Sequence, residues 1–120
     1  MRHIEETIQE TCVRWFEYQY PKLRLLLHHS PNGGRRNARE GARFKAMGTR
    51  AGFPDLFLSV ARHEFHGLYI EMKAPNGTLR QSQKEFQQAA TQQGYLYVVC
   101  RSLDSFMDTV NWYLKEETSC

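Results

Sequence analysis

The chain has 120 residues, a formal net charge of +3, 41% hydrophobic residues and 24% charged residues. This length leaves room for one domain over residues 1–120, because single domains usually contain about 100–200 residues, and the composition is that of a globular protein. No apolar run approaches the roughly 20 residues that cross a bilayer, and no signal-peptide core follows the N-terminus. We therefore expect a cytoplasmic protein with no membrane partner.

The first half of the chain is predicted to contain a helix, a strand and a second helix. Apolar residues at three- and four-residue intervals predict a helix over residues 3–19, which ends before Pro21. The short apolar run over residues 23–27 predicts a strand that enters a loop. Helix-forming residues over 38–47, followed by Gly48, predict a short second helix.

The second half is predicted to begin with a β-hairpin. Apolar runs over residues 55–60 and 68–73, joined by a polar turn, predict its two strands. A helix over residues 79–93, a nearly continuous apolar strand over 95–100 that is buried on both faces, and an amphipathic helix from Leu103 follow. This order predicts an α/β protein, in which helices flank a sheet.

The three cysteines, Cys12, Cys100 and Cys120, form no C-x-x-C pair. Their odd number and their spacing indicate neither a disulfide framework nor a zinc site. We expect them to be two small buried residues and one terminal thiol.

Positive charge is concentrated in one segment of the sequence. Eight of the 16 basic residues lie between Lys22 and Arg50, against the single acid Glu40. Backbone N–H groups of a glycine-containing turn, next to arginines, suit the binding of phosphate oxygens. The candidate nucleic-acid-binding residues here are Asn32, Gly33, Gly34, Arg35, Arg36, Arg39, Arg43 and Lys45. The alternative is a solvated basic loop.

Two acids and a lysine come together in the predicted hairpin. Glu71 and Lys73 are two residues apart, so their side chains leave one strand on the same face. Asp55 starts the partner strand, where its carboxylate is expected beside that of Glu71. Neighbouring carboxylates repel unless a proton or cation lies between them, and oxygen ligands select Mg²⁺ or Mn²⁺. The alternative is a turn aspartate near a surface ion pair.

The spacing of these residues resembles the PD-(D/E)XK nuclease superfamily: Pro54-Asp55, a gap of fifteen residues, then Glu71-x-Lys73. Further runs around this motif are similar to the VRR-NUC family over nearly the whole chain. These runs are residues 29–35, Gly48, 52–56, 67–73 and 77–79, with Gln83 downstream. The resemblance implies an α/β fold of the restriction-endonuclease type, with a mixed β-sheet flanked by helices.

The resemblance also assigns roles to individual residues. It implies the catalytic set Glu5, Asp55, Glu71, Lys73 and Gln83. Asp55, Glu71 and the backbone carbonyl of Met72 are expected to hold Mg²⁺, and Mn²⁺ is expected to substitute for it. His29 is expected to line the site. Glu5 lies four residues before Gln9 on one face of the first helix, but Glu6 is a rival for the same role.

The function implied is that of a Mg²⁺-dependent, structure-selective DNA endonuclease that hydrolyses phosphodiester bonds. The family resemblance points to branched DNA such as four-way (Holliday) junctions, to DNA repair, to a homodimer, and to the cytoplasm of a bacterial or phage-infected host cell. The alternatives are a non-catalytic nucleic-acid-binding module and a nuclease that acts on RNA.

Overall fold

The structure is a computed structural model of the chain and describes residues 4–31 and 37–115. Its elements follow the predicted order: Ile4–Gln19 (α1), a 3₁₀ helix at Pro21–Leu26, Leu27–His29 (β1), Ala38–Ala46 (α2), Leu56–Leu58 (β2), Leu68–Met72 (β3), Gln81–Gln92 (α3), Leu96–Cys100 (β4) and Leu103–Leu114 (α4). Over the described ranges, none of the helices is long and apolar enough to span a membrane.

The four strands form one mixed sheet in the order β1-β2-β3-β4. β2 and β3 are the predicted antiparallel hairpin, in which Leu56 pairs with Ile70. β3 and β4 are parallel, with Glu71 opposite Val99. Because parallel neighbours need a long crossover, α3 lies between these two strands in the sequence. The predicted mixed β-sheet flanked by helices is confirmed.

The hydrophobic core lies on one side of the sheet, which we call the inner face. Its side chains are Leu56, Leu58, Leu68, Ile70 and Met72. Helices α1 and α4 cover this face with Cys12, Phe16, Phe106, Val110 and Tyr113, all fully buried. Burying a large apolar side chain stabilises a fold by about 1.5–3 kcal/mol. Cys12 and Cys100 are free and buried, as predicted, and Cys120 lies outside the described residues.

The segment between α1 and β1 differs from the prediction. The strand expected over residues 23–27 is a 3₁₀ helix from Pro21 to Leu26, and β1 begins only at Leu27. Pro21 stands in the first turn, where its fixed φ angle favours a helical conformation and its missing N–H costs nothing. Leu25 is 82% exposed, so no sheet face holds this run in an extended conformation.

β4 also differs from the prediction, because it is not buried on both faces. Tyr97 and Cys100 are buried, but Leu96, Val98 and Val99 are only partly so. β4 is the last strand in the described sheet order. An edge strand has a neighbour on one side only, which leaves its apolar residues less covered than those of a central strand.

Gly52 brings the loop before β2 directly onto the start of α3. Its φ of +85° lies in the left-handed region that favours glycine, and a Cβ atom here would clash with the backbone carbonyl of Ser82. Any larger residue would push the two segments apart. Gly52 therefore sets the separation between the loop that carries Asp55 and the helix that carries Gln83.

Candidate active site

Asp55 is held by the sheet at the point where β2 begins. It lies one position beyond the last pair of the hairpin, Leu56 with Ile70, and so stands opposite Glu71. Its Oδ2 accepts a hydrogen bond of 2.8 Å from the backbone N–H of Met72. The carboxylate is therefore oriented toward β3 by the strand pairing itself.

Glu71 lies on the other side of the sheet from the core, which we call the outer face. Its Oε2 accepts a hydrogen bond of 3.0 Å from Nε2 of Gln83 and lies 3.8 Å from Nζ of Lys73. Gln83 is itself fixed, because its Oε1 accepts a hydrogen bond of 2.8 Å from the backbone N–H of Arg80. The structure thus brings together four residues of the predicted set: Asp55, Glu71, Lys73 and Gln83.

The Glu71 carboxyl group is strongly perturbed by this position. Burial and, to a smaller extent, the neighbouring Asp55 raise the pKa of Glu71 from 4.5 to about 8, although Lys73 and Arg80 act in the opposite direction. A buried carboxylate beside another carboxylate favours the protonated form unless a cation is present. Near neutral pH the protonated form of Glu71 is therefore favoured in the absence of a cation.

Two buried polar atoms on the outer face have no hydrogen-bond partner in the described part of the chain. They are Oε1 of Glu71 and the hydroxyl oxygen of Tyr97. Burial raises the pKa of Tyr97, and so do the charges of Glu71 and Asp55, which places the hydroxyl within the field of the candidate site. Buried polar atoms are normally hydrogen-bonded, so the Glu71 oxygen and the Tyr97 hydroxyl are suited to bind a further polar group or ion.

His29 connects β1 and α1 to Asp55. Its Nδ1 lies 2.9 Å from the backbone oxygen of Asp55, and the backbone N–H of Ser30 donates a 3.0 Å hydrogen bond to the same oxygen. Nε2 of Gln9 on α1 lies 3.0 Å from the same His29 nitrogen. His29 therefore lies against the backbone of Asp55 at the border of the site, and its role there stays a prediction.

The predicted acid of the first helix lies one turn before Gln9. Glu5 is exposed in the first turn of α1, as is Glu6. Gln9 lies one turn further along α1, and its Nε2 is 3.0 Å from Nδ1 of His29. The role of Glu5 stays a prediction.

Arg101 holds the loop that follows Lys73 in place through hydrogen bonds. Nη1 of Arg101 donates hydrogen bonds to the backbone oxygens of Ala74, at 3.1 Å, and Gly77. The backbone N–H of Lys73 itself donates a 3.0 Å hydrogen bond to the oxygen of Cys100. The backbone at Lys73 is therefore fixed, and the mostly buried side chain extends from it toward Glu71.

The predicted nucleic-acid-binding residues are only partly within the described ranges. Arg39, Arg43 and Lys45 are exposed on α2, which begins at the predicted place with Asn37 as its cap. Asn32, Gly33, Gly34, Arg35 and Arg36 lie outside the described residues. The three described residues give α2 a basic surface.

Sequence reasoning missed Tyr97, Gln9 and Arg101 as neighbours of the site. The pairing of β3 with β4 brings Tyr97 to the outer face, and the parallel register cannot be derived from either strand alone. Gln9 was noted only as a companion of Glu5, four residues away. Arg101 was missed because nothing in the sequence indicates that a single arginine after a strand binds the loop that follows Lys73.

A mixed sheet flanked by helices, with two acids and a lysine on one face, is compatible with the class of restriction-endonuclease-like α/β nucleases. The family model of the VRR-NUC domain matches residues 4–104. A solved structure described as a "VRR_NUC domain protein" is 33% identical with a TM-score of 0.81, covering 95% of this chain and 90% of that chain. No curated protein shows significant similarity to the sequence.

These matches cover most of the chain and agree with the fold. The chain belongs to the VRR-NUC family, and its function is therefore of the nuclease type. The resemblance predicted from the residues is confirmed.

Proposed function

We propose that the protein is a Mg²⁺-dependent endonuclease that hydrolyses phosphodiester bonds in branched DNA. The observation that supports it best is the outer-face cluster, in which Glu71 is buried between Asp55, Lys73 and Gln83, and one of its carboxylate oxygens has no hydrogen-bond partner among the described residues. A purely structural ion pair does not need a second acid at its side, because the added repulsion destabilises it.

The donor chemistry of this cluster fits a hard divalent cation. Within residues 4–31 and 37–115, no group of three or more His, Cys, Asp or Glu side chains gathers as a metal site. The donors offered are instead the carboxylates of Asp55 and Glu71, with the backbone carbonyl of Met72 as a proposed third, and Mg²⁺ commonly binds one or two carboxylates and retains waters. Bound there, Mg²⁺ supplies charge that polarises the scissile phosphate and acidifies a water.

The protein residues have distinct tasks in this proposal. Lys73 holds the attacking water by a hydrogen bond from its ammonium group or, as the neutral amine, accepts the proton of that water. Its Nζ lies 3.8 Å from Oε2 of Glu71, and its side chain is 14% exposed. Gln83 keeps the Glu71 carboxylate in one orientation through the hydrogen bond to Oε2. His29 holds Asp55 in place from the other side of the site. Water then attacks phosphorus in line with the leaving oxygen.

Selectivity for branched DNA rests on the family and on the charge of the surface. Arg39, Arg43 and Lys45 on α2 offer contacts to the phosphate backbone, which position DNA without reading its sequence. A homodimer would present two such sites to the strands of a four-way junction. We place this activity in the cytoplasm, on DNA rather than RNA, with Mn²⁺ able to replace Mg²⁺.

The test is a cleavage assay with a four-way junction, a splayed duplex, a linear duplex and single-stranded RNA. Each is incubated with Mg²⁺, Mn²⁺ or EDTA. Cleavage of branched DNA that EDTA abolishes supports the proposal. Binding without cleavage in every condition would instead indicate a non-catalytic module, and preferred cleavage of RNA would overturn the choice of substrate.

Lys73→Ala is the decisive variant, and we expect it to lower the cleavage rate by about 10²–10⁴-fold while binding to the junction is retained. The matched control is Lys115→Ala, an exposed lysine that follows α4. Single-turnover rates and binding by fluorescence anisotropy are measured for both. A Lys73→Ala rate within tenfold of the wild type would contradict the catalytic role.

A further inference from the structure

A cleft of about 370 Å³ opens beside the candidate active site. It lies between the end of β1 and the loop that follows α2, and its lining includes His28, Ser30, Phe44, Thr49, Arg50 and Phe53. Its volume is within the range of about 300–1,000 Å³ in which small ligands bind. A cavity of this size has room for one nucleotide but not for a base pair with its backbone.

The wall of the cleft is joined to the segment that carries Asp55. Ser30 in the cleft wall donates its backbone N–H to the oxygen of Asp55 at 3.0 Å. Phe53 precedes Asp55 by two residues, and its ring packs edge-on against Tyr69 at 5.7 Å and Phe86 at 4.9 Å. A group bound in the cleft is therefore adjacent to the site where the phosphodiester bond would be cleaved.

The lining combines aromatic rings with positive charge. Phe44 and Phe53 supply the rings, and no acidic side chain lies among the lining residues described. Nη1 of Arg50 donates a 3.3 Å hydrogen bond to the backbone oxygen of Lys45, which holds the guanidinium group at the cleft. The Arg43 guanidinium lies 5.9 Å from the centre of the Phe44 ring and adds a second positive charge nearby.

We propose that this cleft binds one unpaired nucleotide of the DNA substrate, next to the phosphate that is cleaved. The base packs against Phe44 and Phe53, because aromatic side chains stack on any base without regard to sequence. Arg50 contacts the phosphate of the same nucleotide. This proposal rests on the proposed function and deepens it, since it names the feature of the substrate that the site recognises.

An unpaired-nucleotide subsite explains selectivity without any element that reads base edges. Moving a base out of a duplex into a pocket requires unstacking, and the cost is least when the base is already unpaired. Branched and splayed DNA offer such a nucleotide at the branch point, whereas a continuous duplex does not. The cleft therefore binds branched or splayed DNA more tightly than a continuous duplex.

The test compares one substrate with and without the base in question. A splayed duplex carries either a normal or an abasic nucleotide at the first unpaired position, and its affinity is measured by fluorescence anisotropy. Lys73→Ala protein is used as the background, so that cleavage does not interfere. We expect Phe44→Ala to weaken binding of the normal substrate about tenfold and to leave binding of the abasic substrate unchanged.

Two further variants keep the result interpretable. Met47→Ala removes an exposed side chain at the end of the same helix and should change the affinity for neither the normal nor the abasic substrate. Phe44→Leu keeps a large apolar side chain but removes the ring. Equal losses on both substrates for Phe44→Ala and Phe44→Leu, or no loss on either, would overturn the proposal. If only Arg50→Gln weakens binding, and equally on both substrates, the cleft is a phosphate contact and the base subsite is refuted.

The failure of this proposal is distinguishable from a failure of the proposed function. A protein that cleaves branched DNA but binds both substrates equally would retain its function and lose the subsite. A protein that binds the normal substrate better through Phe44 but cleaves no DNA would retain the subsite and lose the nuclease assignment.

Discussion

The two faces of the sheet carry the same strands but opposite chemistry. On β3, Leu68, Ile70 and Met72 enter the inner face and are almost fully buried against α1 and α4. Tyr69 and Glu71 alternate with them and enter the outer face, where a buried carboxylate meets a second acid. The inner face stabilises the protein by apolar burial, whereas the neighbouring Asp55 and Glu71 carboxyl groups of the outer face are unfavourable to ionise together in the absence of a cation. Because successive side chains of this five-residue strand point to opposite faces, one face supplies core residues and the other supplies a candidate catalytic residue.

The largest difference between the faces is expected in the free energy of unfolding. Phe106→Ala removes a fully buried ring of the inner core, which contacts Trp15 edge-on at 6.0 Å, and should lower this free energy by about 3–5 kcal/mol. Phe57→Ala removes a half-buried ring of the outer face and should cost clearly less. Urea denaturation of both variants measures the difference, and equal losses would contradict the comparison.

The second prediction concerns the response to Mg²⁺. At a concentration 100 times its Kd, Mg²⁺ should stabilise the wild type by about 2.7 kcal/mol, because it binds only the folded state. Asp55→Asn should lose this response. Above pH 8, where Glu71 is ionised, it should also be more stable than the wild type in EDTA, since one repulsive charge is gone and the amide oxygen still accepts from Met72. Scanning calorimetry measures both effects.

The control for the metal response is Asp108→Asn, which removes an exposed acid from α4 and should respond to Mg²⁺ as the wild type does. If Asp55→Asn is also stabilised as strongly as the wild type, Asp55 is not a metal ligand. The proposed metal site would then be wrong at its centre.

The third prediction is a fall in stability with rising pH. The pKa of Glu71 is about 8 in the folded protein and 4.5 in the unfolded chain, so the folded state binds the extra proton between these values. The contribution of this group is fully present below pH 4.5 and is lost as the pH rises through about 8, with a slope of up to about 1.4 kcal/mol per pH unit. The difference between wild type and Glu71→Gln, measured in EDTA, isolates this group.

A difference curve that does not change between pH 5 and pH 8 would show that Glu71 is already ionised in the folded protein, against the burial and repulsion described above. Addition of Mg²⁺ should flatten the wild-type curve, because a bound cation favours the ionised carboxylate.

The smallest effect is expected at two buried tyrosine hydroxyls. Tyr113 donates a 2.6 Å hydrogen bond to the backbone oxygen of Val60, so Tyr113→Phe should cost about 1 kcal/mol. The Tyr97 hydroxyl has no partner among the described residues, so Tyr97→Phe should be neutral or stabilising in the metal-free protein. An equal loss at both positions would show that a bound water satisfies Tyr97. Thermal unfolding of the two variants measures the difference.

The sequence was sufficient to predict the elements and the hairpin, because both follow from local periodicity. The same alternation that makes β3 a strand places Glu71 and Lys73 together, and the hairpin brings Asp55 opposite Glu71. These contacts are short-range consequences of residue order. The family resemblance then supplied Gln83, which no periodicity singles out.

The parts that could not be predicted depend on long-range packing. The 3₁₀ helix at Pro21–Leu26 forms because no sheet face covers that run, and burial is not visible in a local pattern. The links from Gln9 through His29 to Asp55 join residues far apart in the sequence. Tyr97 reaches the outer face only through the register of β3 with β4. Each requires knowledge of which elements become neighbours.

Gln83 also couples the orientation of the Glu71 carboxylate to local opening of the first turn of α3. One end of its amide closes the first turn of α3 at the Arg80 N–H, and the other end donates to Glu71. Helix ends fray more readily than helix centres. Whenever this turn opens, Glu71 loses its donor and the carboxylate is free to rotate. The fraction of time for which Glu71 is correctly oriented is therefore set by the opening equilibrium of this turn, which amide hydrogen exchange at the start of α3 measures.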